Sequence, residues 1–128
     1  MFKLATIDEL LANLGDHTDF ATIAKKEADL GIQHLEYDVD AGMTTYFGEN
    51  GYLVERLSNG LGTPVTGGEI NVDAVEKAGA AYIAGTLSLA EAVKALAAAG
   101  CETWTANLKR NIIDFAGPEG KIIAAIEF

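Results

Sequence analysis

Slid against itself by 69 positions, this 128-residue chain sets glycine on glycine at Gly31 and Gly100, Gly48 and Gly117, and Gly51 and Gly120, with no gap. Apolar strand positions coincide under the same shift: Leu35 meets Trp104, Val39 meets Leu108, Met43 meets Ile112, Tyr46 meets Phe115 and Leu53 meets Ile122. A shared period constrains a fold more than any single element, because each copy must build the same supersecondary unit. The chain therefore reads as one domain made of two pseudo-repeats, residues 1–59 and 70–128, around a Gly-rich connector at 60–69.

The clearer copy runs from Gly31 to Arg56. Leu35, Tyr37 and Val39 alternate with His34, Glu36, Asp38 and Asp40, the period of a strand with one buried and one wet face. Ala41-Gly42 offers a turn, and Met43–Phe47 is rich in the Thr and aromatic residues that strands favour. Asn50-Gly51 suits a turn with positive φ, and a third strand follows from Tyr52 to Leu57. The second copy repeats this at Thr103–Leu108, Asn111–Ala116 and Lys121–Phe128, with its turn at Gly117-Pro118-Glu119-Gly120.

Helices precede each set of strands. Thr6 to Glu9 and Ser88 to Glu91 both fit capping boxes, in which a hydroxyl and a carboxylate each satisfy a backbone N–H at a helix start. Asp19 is a candidate cap for a helix running through Phe20, Ile23, Ala24, Glu27 and Leu30 to a stop at Gly31. A further helix spans Asn71–Ile83, weakened internally by Gly79. A three-stranded meander with one apolar face needs a partner surface, so two of them sharing a core under the helices gives an α+β two-layer sandwich.

Nineteen acidic against nine basic residues give a formal charge of −10, which repels phosphate backbones and anionic lipid, so neither nucleic acid nor membrane is an expected partner. The longest apolar run, around Ala95–Gly100, falls far short of a bilayer span. One cysteine, Cys101, forms no internal disulfide, and Met1 onward lacks a basic-then-apolar leader; a cytoplasmic location is the expectation.

The run Leu30–Tyr52, LGIQHLEYDVDAGMTTYFGENGY, resembles the YdfO-like family of uncharacterised bacterial and prophage proteins. A second stretch, from Ala98-Ala99-Gly100 through Trp104 to Asp114-Phe115 and Gly120, is similar to the same family. The resemblance implies a two-layer α+β domain and carries no established activity. The chain departs from that pattern at Tyr82, where a His is expected, and at Asn107, where an Asp is expected.

No motif specifies a reaction, no cofactor is expected, and a non-enzymatic role is favoured. His34, Glu36, Asp38 and Asp40 form a row on one strand face; metal ligands converge from several elements, so a solvated face is the first reading and no metal is expected. Cys101 aligns with Ile32, as for a small apolar side chain, and lacks a nearby base. The connector lacks the Gly-Lys-Ser/Thr ending of a phosphate loop. Candidate binding residues are His34, Glu36, Asp38, Tyr46, Trp104 and Asp114. The leading expectation is an interaction module that self-associates or meets a protein through its sheet face or an edge strand at Ile122–Phe128. The alternatives are a small-molecule binder or enzyme with a groove between the halves, lined by Tyr46, Trp104, Glu36 and Asp114, and a phage-derived acidic inhibitor of a host protein.

Overall fold

The computed structural model describes residues 1–58, 61–65 and 69–128. Among them the order is α1 (Leu4–Leu14), α2 (Phe20–Asp29), β1 (His34–Asp38), β2 (Met43–Phe47), β3 (Leu53–Leu57), α3 (Val72–Ile83), α4 (Leu89–Ala98), β4 (Thr103–Asn107), β5 (Ile112–Ala116) and β6 (Ile122–Glu127). A helix-helix-three-strand pattern thus occurs twice. The 69-residue shift carries α2 onto α4, β1 onto β4 and β2 onto β5 residue for residue.

The six strands form one antiparallel sheet in the order β3-β2-β1-β4-β5-β6. The two units meet at β1 and β4, where Tyr37 stands opposite Trp104 with rings stacked at 4.3 Å and 13°. Backbone bonds close the seam symmetrically. Val39 N–H donates to Glu102 O at 2.9 Å and Leu108 N–H donates to Gln33 O at 3.0 Å, and the shift relates the two bonds. One face of the sheet carries the core, including Leu35, Tyr37, Tyr46, Trp104, Ala106, Ile113 and Phe115, beneath the helices. Among the described residues the other face carries no helix.

Local sequence explains the element ends. Asp19 and Ser88, equivalent under the shift, cap α2 and α4 by accepting the amides of Thr22 and Glu91, and Ser88 completes the capping box with the Glu91 carboxylate. Both helices end before a glycine at positive φ, Gly31 and Gly100, where a side chain would strain the backbone.

Two expectations change. The capping box at Thr6–Glu9 does not form: α1 starts earlier, at Leu4, and the carbonyl of Lys3 accepts the amides of Thr6 and Ile7 with no side-chain cap. Ile7 is instead the fully buried anchor of α1, so burial rather than capping chemistry fixes where the helix begins. Gly79 is a packing requirement rather than a weakness, because a Cβ there would lie 2.8 Å from the ring of Phe115.

The connector at 60–69 lies partly outside the described residues. Its described part folds back on the β1–β2 turn, where Thr63 N–H donates to Val39 O at 3.0 Å and Gly62 packs on Asp40 and Ala41. Among the described residues no helix is long and apolar enough to cross a membrane.

Candidate functional site

Strand alternation decides which candidate residues meet. Glu36 pairs with Thr105, and Thr105 pairs with Asp114, on the face away from the helices. Leu35 pairs with Tyr46, and Tyr37 with Trp104, on the helix-covered face. The sheet itself therefore separates Glu36 and Asp114 from Tyr46 and Trp104, and the expected groove combining all four does not exist. Glu36, Asp38 and Asp114 share a shallow depression of about 500 Å³ with Thr45, Thr103 and Thr105 on the open face. His34 is in neither place: it lies flat on Phe47, ring centroids 4.3 Å apart and 8° between planes. No group of three His, Cys, Asp or Glu side chains among the described residues is placed to hold a metal ion.

Tyr46 and Trp104 line a different space, a cavity of about 660 Å³ between the helices and the sheet. That volume falls in the range of small-molecule sites, roughly 300–1,000 Å³. Its floor is β1 and β2, through Leu35, Tyr37, Thr44 and Tyr46; α2 contributes Phe20, Ile23 and Glu27, and α3 contributes Tyr82. Asp8 of α1 and Arg56 of β3 stand at one side, joined by a salt bridge of 2.6 Å from Arg56 Nε to Asp8 Oδ1. At another, the α1–α2 and α3–α4 turns are tied together by His17 Nδ1, which donates to Gly85 O at 3.1 Å.

The distinctive group is Glu27. Its place on the apolar stripe of α2, following Phe20, Ile23 and Ala24, turns the carboxyl toward the sheet and leaves it 2% exposed. Glu27 Oε1 has no hydrogen-bond partner among the described residues, and neither does the buried Tyr37 Oη. Burial pushes the Glu27 carboxyl up to about 8, against the opposing pull of the Arg56 guanidinium. Burial likewise raises the phenols: Tyr37 to about 12, and Tyr46 and Tyr82 further, with the Glu27 charge adding to both. Burial thus favours the neutral form of the carboxyl and of the three phenols at neutral pH, in a space whose lining includes the rings of Phe20, Tyr37, Tyr46, Tyr82 and Trp104.

The second unit shows what this layer looks like without such groups. Under the 69-residue shift Glu27 corresponds to Leu96, Thr44 to Ile113, Tyr46 to Phe115 and Tyr37 to Ala106, all buried and all apolar in the second unit. There α3 packs on α4 more extensively than α1 on α2. Polar substitution is concentrated where the cavity lies.

Glu27, Phe20, Tyr82 and Arg56 were not among the candidate residues. The available signal was Glu27 itself, a carboxylate on an apolar stripe and in register with a leucine. Cys101 is buried, donates to Thr103 O at 3.3 Å, and is pushed up to about 11 by burial, so it is a packed thiol and no nucleophile. Comparison with curated proteins finds no match for the chain. Over residues 9–125 it matches the family described as "Protein of unknown function (DUF1398)", and it belongs to that uncharacterised domain family.

Proposed function

We propose that the chain is a small-molecule binder whose ligand sits in the cavity between α2, α3 and the first half of the sheet. One observation carries this reading: a buried carboxyl oxygen and a buried phenol without partners line a space large enough for a ligand. An unpaired buried polar atom costs about 1–3 kcal/mol, a cost that a bound polar group would offset. The uniformly apolar packing of the equivalent positions in the second unit shows that the fold does not need these groups. A cytoplasmic setting and the YdfO-like affiliation belong to this reading, supported by the single buried cysteine and by the run Leu30–Tyr52.

Amide chemical shifts recorded against a set of cationic, neutral and anionic aromatic fragments test it. Shifts are expected to concentrate on α2, β1 and β2 at residues facing the helices. Perturbations confined to the open sheet face, or none, would remove the reading.

A second reading, docking of a partner or a second copy on that open face, rests on three exposed side chains at the sheet margins: Leu57 (64% exposed), Ile122 (57%) and Leu53 (47%). β3 and β6 are the edge strands, so both margins also offer unpaired backbone groups. Light scattering across a concentration series checks it, and a monomer throughout removes self-association.

A further inference from the structure

The cavity also constrains the charge of what it accepts. We propose that its ligand is an organic cation, an ammonium group on an apolar body, seated with its charge against Glu27 and its body against the rings of Phe20, Tyr37, Tyr82 and Trp104. This assignment rests on the binder reading above and names the class of ligand.

Five observations lead to it. The carboxyls of Asp8, Asp16 and Glu27 line the cavity against a single basic group, Arg56. Arg56 is already engaged, its Nε on Asp8 at 2.6 Å, so an anion entering the site would meet a guanidinium already committed to a carboxylate. Glu27 lines the cavity, and its Oε1 is buried with no hydrogen-bond partner among the described residues. Aromatic rings form one part of the lining: Phe20 packs on Tyr82 at 5.8 Å and Tyr82 on Trp104 at 5.6 Å. Ring faces attract a desolvated cation by about 0.5–2 kcal/mol each. The formal charge of −10 favours approach of cations over anions.

The assignment has a thermodynamic signature. Burial holds Glu27 protonated in the empty site up to about pH 8. The titratable and charged groups that line the cavity with it are Tyr37 of β1, Tyr46 of β2, Arg56 of β3, Tyr82 of α3 and Asp8 of α1, with Asp16 at the α1–α2 turn; of these Arg56, Tyr46 and Tyr82 interact with its charge. Arg56 favours the ionised form, and the three phenols stay neutral. An arriving ammonium keeps its own proton and pairs with the Glu27 carboxylate, so one proton leaves Glu27 for solvent on binding. Affinity for a cation therefore rises with pH by about tenfold per unit below pH 8, whereas affinity for a neutral ligand does not.

Three probes of one shape decide the matter: 2-phenylethylammonium, 2-phenylethanol and phenylacetate, each titrated from pH 5.5 to 7.5 with the emission of Trp104, the only tryptophan, as readout. The expected result at pH 7.5 is a cation bound at least tenfold more tightly than the alcohol and no binding of the acid. Cation affinity should climb with pH, and Glu27→Gln should reduce it at least tenfold while leaving the alcohol unchanged. Equal binding of alcohol and cation with a flat pH profile overturns the cation assignment and leaves the cavity reading standing. Absence of a response to all three overturns the assignment as well, and the fragment shifts then decide the cavity reading separately. The pH profile is read on the unaltered chain, so it decides even where Glu27→Gln fails to fold.

Discussion

Glu27 and Leu96 occupy the same place in the two units. Each is buried in the second helix of its unit, and each backbone carbonyl closes the helix end by accepting an amide, from Ile32 and from Cys101. One position holds a carboxyl and the other only methyl groups. The molecule thus contains its own comparison: where Leu96 stands the surrounding equivalent positions are buried and apolar, and where Glu27 stands the layer opens into a cavity floored by phenols. Because 69 residues separate the two positions and the strands coincide in register, the two side chains stand at equivalent points of their units.

The first consequence is a pH-dependent stability. The folded-state value of Glu27, about 8, lies above its ordinary 4.5, so between those pH values the folded chain holds a proton that the unfolded chain has released. Stability from this group is then full below about pH 4.5 and falls as pH rises toward 8, by on the order of 1 kcal/mol per pH unit at most. Glu27→Gln has no such proton to lose. Urea denaturation at pH 5, 7 and 9 should show the variant gaining on the wild type as pH rises. Parallel curves across that range would mean that the carboxyl is solvated in the folded state.

Gly79 provides a second test, in which two effects oppose each other. Alanine raises helix propensity by about 1 kcal/mol over glycine, which alone predicts stabilisation. A Cβ at this position, however, would meet the Phe115 ring at 2.8 Å and the end of Ile126 at 3.0 Å, and Phe115 is fully buried. Overpacking of a filled core costs about 1–3 kcal/mol. Gly79→Ala should therefore lower the urea midpoint. A raised midpoint would show that α3 can move away from β5 and β6 without loss.

The two capping sequences give a third. Ser88 Oγ accepts the Glu91 amide at 3.2 Å and the Glu91 carboxylate accepts the Ser88 amide at 3.0 Å, which holds that carboxyl below the usual range. Ser88→Ala should cost about 1 kcal/mol. Thr6, inside α1 and without a capping bond, should tolerate alanine with no loss or a small gain. Equal costs for the two substitutions, measured by thermal unfolding, would overturn the assignment of α1 to a start at Leu4.

The sequence carries the architecture because the glycines and alternating apolar residues are local statements about backbone and face. Gly31, Gly100 and the pair Asp19 and Ser88 mark helix ends by chemistry that needs no distant partner, and α2 and α4 start and stop beside those residues. Thr6 misleads for the converse reason: the capping pattern is present, yet the burial of Ile7 against the core draws the helix start toward Leu4. The site is harder to read. Charges on β1 attract notice because alternation sets them on the open face, but that placement is what makes the exposed Glu36 and the half-buried Asp38 ordinary. Glu27 matters through depth, which arises only when α2 lies on the sheet. The sequence does hold a trace of it, a carboxylate on an apolar stripe and in register with Leu96, whereas the approach of Tyr82 and Arg56 from α3 and β3 is a tertiary fact with no local signal.

Cys101 allows opening of the second unit to be measured directly. The thiol is fully buried, donates to the Thr103 carbonyl, and is held by burial at about 11, above its ordinary 9. Only the thiolate attacks an alkylating reagent, so at pH 8 the folded chain offers neither access nor the reactive form. Iodoacetamide labelling should therefore be slower than in the urea-unfolded chain by a factor of about 1,000 or more, set by how often the β4 end of the sheet opens. The shift also acts on stability: the folded thiol retains a proton that the unfolded one releases, so stability falls as pH rises from about 9 to 11, and Cys101→Ala should lose that slope. Its equivalent, Ile32, is buried to the same degree with no titrating group, so the first unit contributes nothing to the alkaline decline at this position. Rapid labelling of the folded chain at pH 8 would show that the end of α4 is open in solution, and that Ile70 does not close over Gly100, where an added Cβ would lie 3.3 Å from Ile70 Cα.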